Sequence, residues 1–110
     1  MAARFLLVVT TVGDRDEADR LARALIEKRL AACAQISAIE SFYTWEGAVR
    51  NEAEFRVLFK VAERGYDAAE AAIRSLHSYD LPAIHAIAVD RAHVPYAEWV
   101  AAHSGAGSDL

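Results

Sequence analysis

One cysteine, four histidines and a cluster of glutamates set among basic residues are the side chains of this sequence that could do chemistry. Cys33 lies in Leu30-Ala31-Ala32-Cys33-Ala34, among small apolar groups. As a thiolate it could ligate a metal or act as a nucleophile, which needs a base or positive group nearby to lower its pKa. As a thiol it is a small hydrophobe, and free cysteine is among the most buried residue types. The histidines are His77, His85, His93 and His103. No two have the four-residue helical spacing of a zinc pair and no second cysteine accompanies them, so a closed intrachain metal site is not expected. Met1 is the only methionine, which argues against a thioether site for Cu(I). His77 stands in the polar, turn-rich Leu76-His77-Ser78-Tyr79-Asp80-Leu81-Pro82 at the end of a helix, where a cation complements the helix dipole. As a metal ligand it needs partners from elsewhere, and a subunit interface could supply them.

Glu46, Glu52 and Glu54 cluster with Arg50, Arg56 and Lys60 interleaved. Such mixtures are usually solvated faces or cross-strand ion pairs. Paired carboxylates do general acid–base work only where they converge, and nothing in their spacing brings these together. No Ser-His-Asp order, nucleophile elbow, P-loop or dinucleotide fingerprint is present, so the chain is not expected to be an enzyme.

The carboxylates sit on the most strongly patterned stretch, Ser41 to Lys60. Phe55, Val57, Phe59 and Val61 alternate with Glu54, Arg56, Leu58 and Lys60, a period of two that turns one apolar face to a core. On the preceding arm Ile39, Ser41, Tyr43 and Trp45 share a face and Phe42 and Thr44 the other, with the turn at Glu46-Gly47-Ala48. This ribbon is longer than so small a domain can cover, and uncovered it exposes aromatic surface and unpaired backbone groups. Another chain is the expected cover.

Around it, Arg4 to Val12 reads as a central strand and Gly13-Asp14 breaks it. Asp14 or Asp16 caps a helix with Leu21, Ala22, Leu25 and Ile26 inward, ending near Arg29. The second strand runs from Ala31 to Trp45, with a bulge or bend expected between Ile36 and Ile39 where the apolar phase shifts. The third runs from about Val49 to Val61, and a helix opens at Gly65 and Asp67 with Tyr66, Ala69, Ile73 and Leu76 on one face. A fourth strand around Ile84, Ala86 and Ala88 and a short helix with Pro95 in its first turn complete the chain. The order predicts an α+β, ferredoxin-like βαββαβ fold plus a C-terminal helix, its sheet antiparallel with both main helices on one face. Residues 1–103 form one domain and 104–110 a flexible tail.

With 110 residues, 55% hydrophobic and 25% charged, disorder is excluded. A net charge of −4 leaves no basic footprint for nucleic acid. The apolar run Phe5 to Val9 is too short for a signal segment and no stretch approaches a membrane span. A lone cysteine permits no intrachain disulfide and fits a reducing, cytoplasmic setting.

Four motifs, in order, carry a family resemblance. Glu27-Lys28-Arg29-Leu30-Ala31-Ala32-Cys33 resembles the EKxLAAC signature of the CutA divalent-cation tolerance family. Ser41-Phe42-Tyr43-Thr44-Trp45-Glu46-Gly47 resembles its S-x-Y-x-W-x-G hairpin, with Glu54 and Lys60 following in register. His77-Ser78-Tyr79-Asp80-Leu81-Pro82 is similar to its H-P-Y-x-x-P loop and Tyr96-Ala97-Glu98-Trp99 to its closing Y-x-x-W. The resemblance implies a PII-like homotrimer in which the long hairpin pairs with sister subunits. It also implies a role in tolerance to copper and other divalent cations, with Cu(II) or another divalent cation as ligand. It carries over His77 and Cys33 as metal-ligand candidates, and Tyr43, Trp45, Glu46, Glu54, Lys60 and Tyr79 as candidates for an intersubunit cleft. Thr10 stands where some copper-binding relatives have cysteine and Leu76 where some have a second histidine, which removes two donors. Ser78 replaces the usual proline and is expected to loosen the loop.

These readings point to a binding or signalling module without turnover. Arg56 and Lys60 leave an anionic ligand open beside a cationic one. Two other readings stand: a cofactor-free enzyme with His77 as base and Tyr79 orienting substrate, and a structural trimeric scaffold.

Overall fold

The computed structural model of the chain describes residues 4–106. The apolar β-branched run forms β1 (Phe5–Val12), and Asp14 then caps α1 (Arg15–Glu27), its Oδ1 accepting the Glu17 N–H at 2.7 Å. Ala18, Leu21 and Leu25 of α1 are buried, as their helical spacing requires. The chain turns back at Arg29, whose φ of 59° lets the Leu30 and Ala31 amides both return to the Leu25 carbonyl. There follow β2 (Cys33–Trp45), β3 (Ala48–Ala62), a 3-10 turn at Glu63–Gly65, α2 (Tyr66–Leu76), β4 (Ile84–Ala88) and α3 (Val94–Ala102).

The strands lie in the order β2-β3-β1-β4, antiparallel throughout. This is the ferredoxin-like α+β fold. Val8 and Val12 of β1 and Val57, Phe59 and Val61 of β3 face α1 and α2, and with Ala69 and Ile73 they form the main core. The opposite parity of β1, Phe5 and Leu7, packs beneath α3 against Ala97, Val100 and Tyr96. Leu76, expected on the inner face of α2, is 45% exposed because the core ends at Ile73 and the helix runs past it.

The β2–β3 register is unbroken from Cys33↔Lys60 to Trp45↔Ala48, so the bulge expected between Ile36 and Ile39 is absent. The apolar phase shifts there for another reason. Ile36 is paired with Val57 and packs on the helix-covered core, whereas Ile39 is paired with Glu54 and serves the opposite face. Glu46 and Gly47, with φ of 51° and 77°, close the hairpin in two residues, and both positive values match the strand twist.

β1 covers β3 only from Phe55 onward, so residues 39–45 and 48–54 project as a bare two-stranded arm. At 3.4 Å per residue the arm reaches roughly 24 Å, which accounts for much of the 47 Å long axis.

A flexible tail was expected from residue 104, but Ser104–Ala106 pack onto the domain. Ser104 is buried, its Oγ accepting the Ala62 N–H at 2.9 Å and donating to the Val100 carbonyl at 2.6 Å, and the Ala106 N–H reaches the Arg29 carbonyl. Glycines make this approach possible: a Cβ on Gly65 would stand 2.6 Å from the Gly105 Cα. The rest of the predicted tail, 107–110, lies outside the described residues.

Candidate functional site

The arm and the loop between α2 and β4 enclose a cleft of about 690 Å³ that also touches the end of β1. Residues Tyr43, Trp45, Glu52 and Glu54 of the arm and Tyr79 and Asp80 of the loop are the side chains there with chemistry to offer. Among the described residues no lysine, arginine or histidine lines it.

Strand parity sets the arm's contribution. Tyr43 and Trp45 share one face of β2 with the Glu52 and Glu54 positions of β3, so aromatic rings and carboxylates emerge side by side. The Tyr43 hydroxyl donates to Glu52 Oε1 and the Tyr79 hydroxyl to Glu54 Oε2 at 2.7 Å. Both phenols are thereby held protonated beyond the ordinary tyrosine range. For Tyr79 burial contributes most, then the hydrogen bond to Glu54; for Tyr43 the hydrogen bond to Glu52 leads. Glu54 is only 8% exposed.

The loop is held by a second set of bonds behind the cleft. β4 ends its ladder with Ile84 opposite Thr10, and the next carbonyl, that of Thr11, accepts from His77 Nε2 at 2.8 Å. That contact requires the proton on Nε2, so Nδ1 is the acceptor for the Tyr79 N–H at 3.1 Å. The imidazole is fully enclosed and both ring nitrogens are engaged. Glu17, 7% exposed in the first turn of α1, accepts from Ser78 twice, from its N–H at 2.9 Å and its Oγ at 2.8 Å. Ser78 therefore ties the loop down where the missing proline was expected to free it. A proline there would offer neither donor. The buried position of Glu17 one turn into α1, facing a serine 61 residues away, has no local signal in the sequence.

The residues proposed from the sequence thus separate into four places, with His77 behind the cleft. Tyr43, Trp45, Glu54 and Tyr79 line the cleft together with Glu52. Glu46 stays at the hairpin tip, 4.0 Å from Arg50 Nη2. Cys33 and Lys60 face each other at the far end of the sheet, where Lys60 Nζ donates to the Tyr96 hydroxyl at 2.9 Å. That hydrogen bond leads in raising the Lys60 pKa. Thr11, beside His77, is in register with Arg56 and Cys33 with Lys60, four residues along β3 and on its two opposite neighbours, an offset of roughly 13 Å along the strand with two strand spacings of about 4.8 Å across the sheet added to it. Among the described residues no group of three or more His, Cys, Asp or Glu converges as a metal site. Thr10, in place of a donor cysteine, is fully buried on the helix-facing side, and its hydroxyl has no hydrogen-bond partner among the described residues.

Residues 6–103 match the family described as CutA1 divalent ion tolerance protein. The chain belongs to that family. The Divalent-cation tolerance protein CutA of Archaeoglobus fulgidus is 33% identical over 93 residues, 84% of this chain and 91% of that protein. The crystal structure of CutA1 from Oryza sativa superposes with a TM-score of 0.90 at 33% identity, covering 94% of this chain and 95% of the other. An Archaeoglobus fulgidus CutA structure, of a protein described as a periplasmic divalent cation tolerance protein, gives a TM-score of 0.85 at 32% identity over 87% of this chain and 94% of that one. Among the described residues no helix is long and apolar enough to cross a membrane.

Proposed function

We propose that this CutA1-family chain works as a cytoplasmic homotrimer, a non-catalytic binding module whose ligand enters the cleft between the β-arm and the 77–83 loop. The bare arm carries this reading. Phe42 is 68% exposed, Trp45 47% and Val49 77%, on a ribbon that its own chain leaves uncovered. Apolar area of that kind is normally buried by association. Sister subunits laid along the arm would also wall the cleft, so assembly and ligand binding share one surface.

Turnover finds no support in the arrangement. His77, the best candidate base, spends Nε2 on a carbonyl and Nδ1 on an amide and is not among the cleft-lining residues. The lining favours a cation over an anion, since its charged members are carboxylates and Lys60 is turned to Tyr96. A Cu(II) site at His77 and Cys33 does not fit one chain, because the two are apart and both imidazole nitrogens are occupied. A divalent cation, which the relatives' names bring to this chain, would have to use the hard oxygens of Glu52 and Glu54 together with donors of sister subunits.

Sedimentation velocity of the full chain at micromolar concentration, parent beside Phe42→Asp/Val49→Asp, tests the assembly. A trimer that dissociates in the double variant is expected; a folded monomeric parent overturns the proposal. Calorimetric titration with Cu(II) and Zn(II) of parent and Glu54→Gln tests the cation, and binding unaltered by Glu54→Gln removes the carboxylates from it.

A further inference from the structure

Glu54 lies in the wall of the cleft as a buried residue, 8% exposed, yet its hydrogen bond among the described residues is from a neutral phenol and no ion pair joins it to Arg56, two positions along the same strand. A buried carboxylate without a cation is costly, and the cost is relieved when a positive charge arrives beside it. Glu52 stands next to it on the same strand face, and Asp80 adds a third carboxylate to the lining.

The remaining walls are not those of a bare-metal site. Tyr43, Trp45 and Tyr79 present aromatic surface to the same space, with Phe42 and Leu81 at its margin. Ring faces attract cations through their quadrupole, most strongly for Trp and Tyr. The two tyrosines donate their hydroxyl protons to Glu52 and Glu54, so each ring is polarised toward greater electron density while its carboxylate is fixed in place. A strongly hydrated divalent ion gains nothing from apolar walls and fills little of a space of about 690 Å³. That volume falls in the range of small-molecule sites.

From this combination we infer that the cleft binds a small organic cation, an alkylammonium or guanidinium ion, whose charge lies among Glu52, Glu54 and the rings of Tyr43, Trp45 and Tyr79. The inference rests on the reading of the cleft as the ligand site and adds the chemical class. The carboxylates supply charge, the rings supply both cation–π attraction and apolar cover for the substituents, and the described residues of this chain put no basic side chain there to hold an anion.

The test is calorimetric titration of the full chain with two cations, each against a neutral molecule of the same shape: (2-hydroxyethyl)trimethylammonium with 3,3-dimethylbutan-1-ol, and n-butylguanidinium with n-butylurea. Butyrate serves as the anion. Each cation is expected to bind at least tenfold more tightly than its neutral counterpart, a difference of about 1.4 kcal/mol, and butyrate not at all. Glu54→Gln keeps an acceptor for Tyr79 and should erase the tenfold preference. Trp45→Leu, on the exposed arm and remote from the core, should weaken both cations while leaving the circular dichroism spectrum unchanged. Equal affinity for cations and their neutral counterparts overturns the class while the cleft stands as a site. No heat from any of the five compounds overturns this inference, while the cleft reading itself falls only if Cu(II) and Zn(II) give no heat either. Parental affinity in both variants overturns the placement.

Discussion

Replacing His77 by alanine should destabilise the metal-free protein by about 2.5–5 kcal/mol, and the size follows from what the imidazole touches. Nε2–H is the partner of the Thr11 carbonyl at 2.8 Å, just beyond the end of the β1–β4 ladder. Left unpaired in a site the imidazole had sealed, that carbonyl costs about 1–2 kcal/mol. Nδ1 accepts from the Tyr79 amide, which is nearer solvent and can recover water, so its loss costs about 0.5–1 kcal/mol. The ring itself is fully enclosed, and the space it leaves adds about 1–2 kcal/mol more. For a domain of this size the sum corresponds to a fall in Tm of about 10 °C or more. Urea unfolding at fixed protein concentration in the presence of a chelator measures it, because assembly and bound metal would otherwise shift the midpoint. His77→Gln, which can still donate to Thr11 but does not reach the Tyr79 amide as well, should recover about half of the loss. A chelated His77→Ala protein within about 1 kcal/mol of its parent would refute the bolt. A loss seen only when Cu(II) or Zn(II) is present would mean that the ring ligates a metal.

Ser78→Pro removes both donors from buried Glu17 and should cost about 2–3 kcal/mol, whereas Ser78→Ala, which keeps the N–H, should cost about half as much; urea midpoints separate them. Stability should fall as pH rises past the ordinary tyrosine value of 10.0, because folded Tyr79 keeps its proton while the unfolded chain releases it. Tyr43 and Lys60, also raised, act with the same sign, and Tyr79→Phe should lessen but not abolish the alkaline loss in midpoints measured from about pH 8 to about pH 11. Gly65→Ala should cost about 1–3 kcal/mol by driving a methyl into the Gly105 backbone, and hydrogen exchange at the Ala62 amide, bonded to Ser104, should accelerate. Unchanged exchange there would place the clash elsewhere.

Elements governed by local pattern were legible in the sequence. The alternation through Phe55, Val57, Phe59 and Val61 is the buried face of β3, and the Asp14 cap follows from one residue at a strand end. What pattern could not convey were contacts between distant segments. Ile39 breaks the apolar phase of β2 like a bulge would, although it only changes which face of the sheet carries the apolar residue. Ser78 reads locally as a lost proline, and its two bonds to Glu17 become visible only when α1 and the loop meet. Ser104 looked like the start of a polar tail, but its hydroxyl fits the gap that Gly65 and Gly105 open beside Ala62. In the site, parity placed Tyr43 and Trp45 on one face from sequence, while Glu54 joined them only through the β2–β3 register, Glu52 gained its role from the Tyr43 hydroxyl and Tyr79 reached Glu54 from 25 residues away.

The cleft and the fold are joined through the 77–83 loop. Glu17 holds Ser78, the imidazole of His77 holds the Tyr79 amide, and the Tyr79 hydroxyl holds Glu54, so a continuous set of hydrogen bonds runs from the first turn of α1 to the arm. Each bond alone contributes only about 1 kcal/mol, but together they fix Tyr79 at both ends of its side chain. A wall fixed in this way loses little further conformational freedom when the cleft fills, which is the energetic advantage of a site formed before its ligand arrives. Beyond the Tyr79–Glu54 bond at its base, the described residues give the arm no side-chain hydrogen bond to the rest of the chain. Within it, residues 39–45 and 48–54 are held by their mutual ladder, by the Tyr43–Glu52 contact and by the Asn51 amide donating to Glu40 and to the Ser41 carbonyl. One side of the cleft is thus fixed by the chain's own core, and the other gains its rigidity from whatever covers the arm.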